Sequence, residues 1–454
     1  MITATFESPR TAHYRRTGGP WDLQSLDELL SRVASPQLAE LVARVAGGLR
    51  SRGVAPGDTV AWRSANRDEV AVLYRACWRL GAVAAPVHHL MGARDVAGVL
   101  EAVRPALVVD DLDALPTDEP IDTLWTDPSR LAAVLFTSGS SGAPKGVLHT
   151  QATLAYKAAQ MQHEHALGPD DCVLMPAPAA HISGLLNGIT LPGVVPFRTV
   201  FVARWDPEAA LMLIERERVT FMVGPPTFFV SMLQAPGFSR ERVASLRLIS
   251  SGGAGVGEAF VAEASSAFGA RVKRTYGSTE APTIITDGRP IGEIEVRVDD
   301  NGELLVRGPE VCVGYLDRAQ SAGAFTSDGW FRTGDLAAID ATGAIEIVGR
   351  LKDVIIRGGE NISTAEVEQV LEAHPDVRHA VAVGEADVLM GERVVAFVES
   401  APGFDLDACR AWFVARGVAR FKTPERLVVV DAIPLLPTGK PDRAALRARV
   451  AAPD

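Results

Sequence analysis

Along the first hundred or so residues, short apolar runs alternate with amphipathic stretches. Positions 38–52, 69–80 and 93–103 place apolar residues at helical spacing and predict helices. Between them, 59–62, 83–86 and 106–109 are short apolar runs bounded by turn residues, and they predict strands. The alternation returns further on. Helices are expected over 208–218 and 256–268, and strands over 131–136, 220–223 and 246–250. Strand–helix alternation of this kind predicts an α/β fold built on parallel sheets. Residues 111–128 are polar and proline-bearing, and predict a surface connection.

From about Ile291 the pattern changes to short strands with turns. Strands 293–298 and 303–306 flank Asp299-Asp300-Asn301-Gly302, a hairpin signal, and 344–348 predicts another strand. After Gly349-Arg350 comes a compact α+β pattern. Its expected strands are 354–356, 377–383, 394–398 and 426–430; its helices are 364–373, 406–415 and one from Pro441 onward. The expected organisation is a large N-terminal domain, 1–349, of parallel-rich sheets with a short-stranded β subdomain, followed by a small α+β domain, 350–454.

The 454 residues exceed what one hydrophobic core usually serves, in keeping with two domains. Hydrophobic residues at 47% and charged residues at 22% are ordinary for a globular protein. A net charge of -11 argues against nucleic acid as the main partner, while leaving room for one local nucleotide site. The sequence opens without the apolar run of a signal peptide, and no stretch has the length of a membrane span. Cys77, Cys172, Cys312 and Cys409 are widely spaced and suggest neither a disulfide framework nor structural zinc. A cytoplasmic location is expected. Only six of the 45 basic residues are lysines: 145, 157, 273, 352, 422 and 440. Arginine cannot replace a compact ammonium in a tight position, so each lysine deserves inspection.

Five segments carry candidate chemistry. Thr137-Ser138-Gly139-Ser140-Ser141-Gly142-Ala143-Pro144-Lys145-Gly146 follows an apolar strand. Its glycines, hydroxyls and lysine suit a phosphate cradle, with a plain Gly/Ser turn as the competing reading. It is not a Walker A loop, because Lys145 follows proline and precedes glycine. Thr275-Tyr276-Gly277-Ser278-Thr279-Glu280 sets a hydroxyl beside a carboxylate, as a phosphate oxygen with its Mg²⁺ would require. Trp330-Phe331-Arg332-Thr333-Gly334-Asp335 reads either as a ribose-binding Asp after a turn or as an Asx turn. Gly349-Arg350-Leu351-Lys352-Asp353, with Gly358 and Gly359 beyond, sits on the expected boundary. Leu436-Pro437-Thr438-Gly439-Lys440-Pro441 puts a lysine on a loop opening the last helix, with Pro441 suited to its first turn.

Taken in this order, the five segments resemble the adenylate-forming superfamily of acyl-CoA synthetases, luciferase and peptide-synthetase adenylation domains. The resemblance runs from about Leu26 to the end and is nearest to acyl-CoA ligases of the cyclohexanecarboxylate type. It implies ATP, Mg²⁺ and coenzyme A as cofactors and a small carboxylic acid as substrate, with an acyl carrier protein as the rival thiol and a non-catalytic nucleotide-binding paralogue as the reading from another class; oligomeric state stays open. At matching positions it implies that Thr137, Ser138, Gly139, Ser140, Ser141, Gly142 and Lys145 hold the β- and γ-phosphates. Thr279 would touch the α-phosphate and Glu280 would hold Mg²⁺. Gly253, Ala254 and Tyr276 would line the adenine site, and Asp335 would bind the ribose with Arg350 nearby. Lys352 would be the hinge of a mobile C-terminal domain, Lys440 the catalytic lysine, and Gly358 and Gly359 the pantetheine path. His181 would stand beside the acyl pocket, a role that competes with that of a structural histidine. Gly277 would leave acyl space.

The chain departs from the family in three places. It is short over 281–289 and over 110–129, and Ala254-Gly255-Val256 replaces the usual Ala-Pro. No residue is aimed at a second substrate charge, and none matches the aspartate that grips an α-amine. A medium-sized monocarboxylate, aliphatic, alicyclic or aromatic, is therefore expected.

Overall fold

A computed structural model describes residues 24–137, 145–253, 255–357, 360–387, 389–436 and 441–451. The chain divides into two compact units. The first comprises 1–296 and 306–331, the second 297–305 and 332–454.

The first unit opens on a five-stranded sheet. Its strands are β1 (Thr59–Ser64), β2 (Val83–His88), β3 (Leu107–Val109), β4 (Leu131–Thr137) and β5 (Lys145–Thr150), in the order β3-β1-β2-β4-β5. Strands β3, β1, β2 and β4 pair parallel, while β5 returns antiparallel along β4. The helices Pro36–Ser51 and Asp68–Leu80 start as their sequences dictate. Ser35 caps Leu38 N with Pro36 in the first turn, and Gly81 ends the second helix in the left-handed region at φ 72°. Their apolar faces bury Trp62, Tyr74 and Trp78, with Trp62 and Tyr74 edge-to-face at 4.8 Å. Beside this core Arg79 Nε donates to Asp27 Oδ2 at 2.7 Å, a fully sequestered ion pair.

The second sheet contains β6 (Cys172–Met175), β7 (Arg198–Phe201), β8 (Phe221–Gly224), β9 (Leu248–Gly252), β10 (Arg271–Tyr276), β11 (Ile285–Thr286) and β12 (Arg289–Pro290). Its order is β12-β11-β10-β9-β8-β6-β7. The five strands from β6 to β10 run parallel, and β11 and β12 fold back antiparallel. The expected α/β class is thus met.

The second unit contains strand pairs from β13 (Glu295–Val298), β14 (Glu303–Arg307), β15 (Phe331–Ile339) and β16 (Ile345–Arg350), in that order. A further sheet has β17 (Val354–Arg357), β18 (Glu360–Ser363), β19 (Val377–Asp387), β20 (Gly391–Ser400) and β21 (Arg426–Val429). Its order is β18-β17-β20-β19, with β21 beside β20. Helices Thr364–Glu372 and Leu406–Ala415 cover this sheet with Val367, Leu371, Cys409 and Phe413.

Three local features differ from the sequence expectation. The helix Gln151–His165 is unannounced by the pattern, because its buried face sets only Leu154 and Met161 among alanines, Gln151, Thr153, Lys157 and His165. Residues 331–335 do not form a turn; β15 runs through them, and Trp330 lies just before it. The last helix begins at Arg443, not Pro441, because Asp442 Oδ1 accepts from Ala445 N and caps it. The connection 111–128 lies largely at the surface as expected, and it is tied down. Asp118 N and Ile121 N donate to Arg44 O and Ala43 O, and a Cβ on Gly48 would meet Pro116 backbone at 2.3 Å.

Candidate active site

The phosphate-cradle candidate is framed by an antiparallel strand pair. Thr137 closes β4 and Lys145 opens β5, and the two are direct partners in the ladder. Ser138, Gly139, Ser140, Ser141 and Gly142 lie between them, outside the described residues. So do Ala254, Gly358, Gly359 and Lys440, and the Lys352 side chain.

Lys145 Nζ stands 5.4 Å from the centroid of the Tyr315 ring, and Tyr315 Oη donates to Glu280 Oε1 at 2.8 Å. One tyrosine therefore links the lysine at the cradle's edge to the expected metal ligand. Burial, with the Glu280 carboxylate alongside, pushes the Tyr315 phenol well above its ordinary pKa, so it remains a donor. Nothing in the sequence around Tyr315 marks it. It arrives here because Leu148 N donates to Gly314 O and Leu316 N to Gly146 O, which lays residues 313–316 along β5.

The segment 277–283 carries Thr279 and Glu280 and is tied at several points. Ser278 N donates to Ala281 O, and Cys312 N donates to Glu280 O at 2.7 Å. The buried His149 lies within 2.8 Å of Thr279 O through Nε2, and within 3.2 Å of Thr153 Oγ1 through Nδ1. A carbonyl can only accept, so Nε2 carries the proton and Nδ1 accepts from the threonine. Burial lowers the His149 pKa to about 4, against the opposing pull of the Thr279 carbonyl and Glu280, so the neutral ring fits this assignment. His149 was missed in the sequence reading, though it stands four residues after Lys145.

Gly253 and Tyr276 come together because β9 and β10 are parallel neighbours with Gly252 opposite Thr275. They lie at the carboxyl ends of these strands, where open α/β sheets bind ligands. Gly253 has φ 77°, and a Cβ on Gly252 would sit 2.3 Å from Thr275 O. Gly277 has a steric reason of its own: a Cβ there would lie 2.2 Å from Thr283 N. Backbone crowding, in addition to any effect on acyl space, therefore requires glycine.

His181 precedes the short helix Ile182–Leu185, and its ring centroid lies 4.8 Å from that of His88. His88 ends β2 and stacks in turn on His89. Burial, with His89 and Arg63 adding to it, lowers His88 to about 4. The His88-His89 pair is a second feature the sequence reading passed over.

In the second unit, Asp335 and Arg350 are ladder partners on β15 and β16, and Arg350 Nε contacts Asp335 Oδ1 at 2.9 Å. Asp335 is buried while Arg350 is half exposed. Thr333 Oγ1 and Glu303 Oε1 accept from Asp335 N and Gly334 N. Around the Lys440 position, Leu435 and Pro441 form an antiparallel bridge. Arg443 makes a two-pronged contact with Glu368, and Arg447 pairs with Asp353 next to Lys352.

Doubly wound parallel sheets, a strand pair around a Gly/Ser-rich loop and a hydroxyl–carboxylate pair at a parallel strand end define the class of adenylate-forming enzymes. The chain belongs to the AMP-binding enzyme family: residues 32–316 match that family's model, and 366–440 match the AMP-binding enzyme C-terminal domain. It is 30% identical to a medium-chain fatty-acid–CoA ligase of Escherichia coli, over 98% of this chain and 94% of the relative. It is 33% identical to a feruloyl-CoA synthase of Amycolatopsis, over 91% and 93%. Among solved structures, ATP-bound MatB from Rhodopseudomonas palustris superposes with TM-score 0.86 at 26% identity, covering 94% of this chain and 98% of that one. The o-succinylbenzoate CoA synthetase of Bacillus subtilis, in complex with its acyl-adenylate, superposes with TM-score 0.83 at 25% identity, over 95% and 98%.

Proposed function

We propose that this protein is an AMP-forming acid–thiol ligase, an acyl-CoA synthetase acting on a hydrophobic monocarboxylate. The observation that carries the reading is the convergence of Lys145, Tyr315 and Glu280 beside the strand ends that frame the glycine-rich loop. The relatives' names extend it: they act on medium-chain fatty acids, ferulate and indoleacetate, all largely apolar acids.

In the first half-reaction a carboxylate oxygen attacks the α-phosphorus of ATP. The P–O bond to the β-phosphate breaks and pyrophosphate leaves. The protein's work is positioning and charge neutralisation, with no general base needed. Lys145 and the 137–145 loop would take the β- and γ-phosphates, and Thr279 the α-phosphate. Gly253 and Tyr276 would flank adenine, and Asp335 would accept from the ribose hydroxyls while Arg350 holds it. In the second half-reaction the thiol sulfur of coenzyme A attacks the acyl carbon. The C–O bond to AMP breaks, and the thiol proton passes to solvent.

Mg²⁺ fits the donor set. Glu280 and Thr279 offer oxygen ligands, and among the described residues no group of three or more His, Cys, Asp or Glu could hold a metal alone. Mg²⁺ commonly binds through one carboxylate plus substrate phosphates, and would supply charge neutralisation there. The proposal assigns 1–349 to nucleotide and acyl binding and 350–454 to a mobile part that carries Lys440 and turns about Lys352. Among the described residues no helix is long and apolar enough to cross a membrane.

The test is a panel of carboxylic acids scored by pyrophosphate release, with and without coenzyme A. Acid-dependent release followed by acyl-CoA formation is expected. Release without any CoA thioester, but with transfer to a carrier-protein phosphopantetheine, would move the thiol assignment. No release with any acid would overturn the function. Lys440→Ala should abolish adenylation yet keep thioester formation from supplied acyl-adenylate.

A further inference from the structure

Of the lysines the function leaves unused, Lys273 and Lys422 each pair with a glutamate on a neighbouring helix, Glu164 and Glu366. Lys157 is different. It is wholly buried on the inner face of the helix Gln151–His165. Its ammonium donates to Gln160 Oε1 at 2.8 Å and to Thr283 O at 2.5 Å, and faces the equally buried Glu310 Oε1 at 3.4 Å. All three donors are used.

Thr283 is the unusual partner. It is β-branched yet has φ 43°, a left-handed backbone that such residues avoid. That conformation closes the neck of the segment carrying Thr279 and Glu280. It brings Thr283 N against Gly277, and the next amide, Ile284 N, donates to Tyr276 O at 2.8 Å. The tip of the same segment is held separately by His149 on Thr279 O and Cys312 N on Glu280 O. A buried ion pair by itself is weak evidence for stability, and apolar residues often replace one at no loss. Here the ammonium also grips the carbonyl of the one strained residue between Gly277 and Ile284.

We propose that Lys157 is a positioning residue for adenylation: by gripping Thr283 O it holds the strained neck that sets Thr279 and Glu280 toward the nucleotide phosphates. The inference rests on the reading of Glu280 given above. Misplacing a reacting group by about 1 Å can cost on the order of 100-fold in rate, so a loosened neck has a measurable consequence.

The test uses the full-length enzyme with Lys157→Met and Glu310→Leu combined, so that no buried charge is stranded. Pyrophosphate release should fall by about tenfold or more, while thioester formation from supplied acyl-adenylate stays within about twofold. On a Glu280→Gln background the same pair should cost clearly less than in the parent, since Glu280 is one of the two groups the neck sets. Adding Thr283→Gly should restore adenylation to within about threefold of the parent, because glycine adopts φ 43° without the grip. Rescue by glycine also separates this role from a packing defect and covers the case of a poorly folding double variant. Undiminished adenylation, equal loss of both half-reactions, additivity with Glu280→Gln, or no rescue by glycine would each overturn the inference alone. If Glu280→Gln by itself leaves pyrophosphate release intact, the reading of Glu280 fails, and this inference with it.

Discussion

The two units both carry arginine–carboxylate pairs near the surface, but the first also sets ion pairs wholly inside its core, Arg79 with Asp27 and Lys157 with Glu310. In the first, key contacts are buried and reach backbone carbonyls: Arg79 on Asp27 and Ile121 O, His149 on Thr279 O, Lys157 on Thr283 O. Partly exposed arginine–carboxylate pairs occur in both units, as with Arg198 and Arg216 on Glu217 in the first; in the second they include Arg393 and Arg426 on Glu385, Arg378 on Glu399 and Arg447 on Asp353. Low dielectric makes the first set strong and unforgiving; water and salt make the second set weak and adjustable. A rigid cradle suits a nucleotide, and loosely tied parts suit the stretch 350–454 proposed to move.

Paired truncations test this contrast most strongly. Asp27→Ala strands the buried Arg79 and should destabilise the first unit by about 3–5 kcal/mol. Glu385→Ala releases Arg393 and Arg426, which are 40% and 37% exposed, and should cost the second unit under about 1 kcal/mol. Urea unfolding followed by hydrogen exchange reads the units separately, and equal losses would break the comparison.

Next in size is a pair of glycine replacements. Gly277→Ala drives a Cβ into Thr283 N and should lower acid-dependent pyrophosphate release by about 100-fold. Gly334→Ala meets no atom within 4 Å and bears only its φ of 71°, about 1 kcal/mol of stability.

Acid should separate the units as well. His149 and His165 are buried, with pKa values lowered by burial to about 4 and about 3, from 6.5. The unfolded chain binds those protons first, so the stability they contribute is present above pH 6.5. It is lost as pH falls toward these folded values. Among the described residues no buried histidine lies in the second unit. His165 packs on Phe221 with neither ring nitrogen bonded. His165→Phe should therefore recover on the order of 2–3 kcal/mol at pH 4.5 and shrink the difference in urea stability between pH 7 and 4.5.

The smallest effect is that of salt. Raising NaCl to about 0.5 M should lower the second unit's stability by under about 1 kcal/mol and leave the first unit's buried pairs nearly untouched. A larger shift in the first unit would reverse the assignment.

The alternation of helical and strand periods determined the α/β class, the four parallel strands of the first sheet and β8 and β9 of the second, because each burial pattern is local, while β6, β7 and β10 were not marked by it. The same holds for the motif positions, since Gly-rich turns and hydroxyl–carboxylate pairs are written in consecutive residues. Tyr315, His149, the His88-His89 pair and Lys157 were decided only by tertiary structure. Each acts on a group far away in sequence, and its meaning depends on which strands become neighbours. The helix Gln151–His165 stayed hidden for a related reason: its inner face sets only Leu154 and Met161 among small and polar residues, and the carbonyl of Thr283 and the carboxylate of Glu310, brought from 126 and 153 residues away, join Gln160 in making a buried lysine tolerable there.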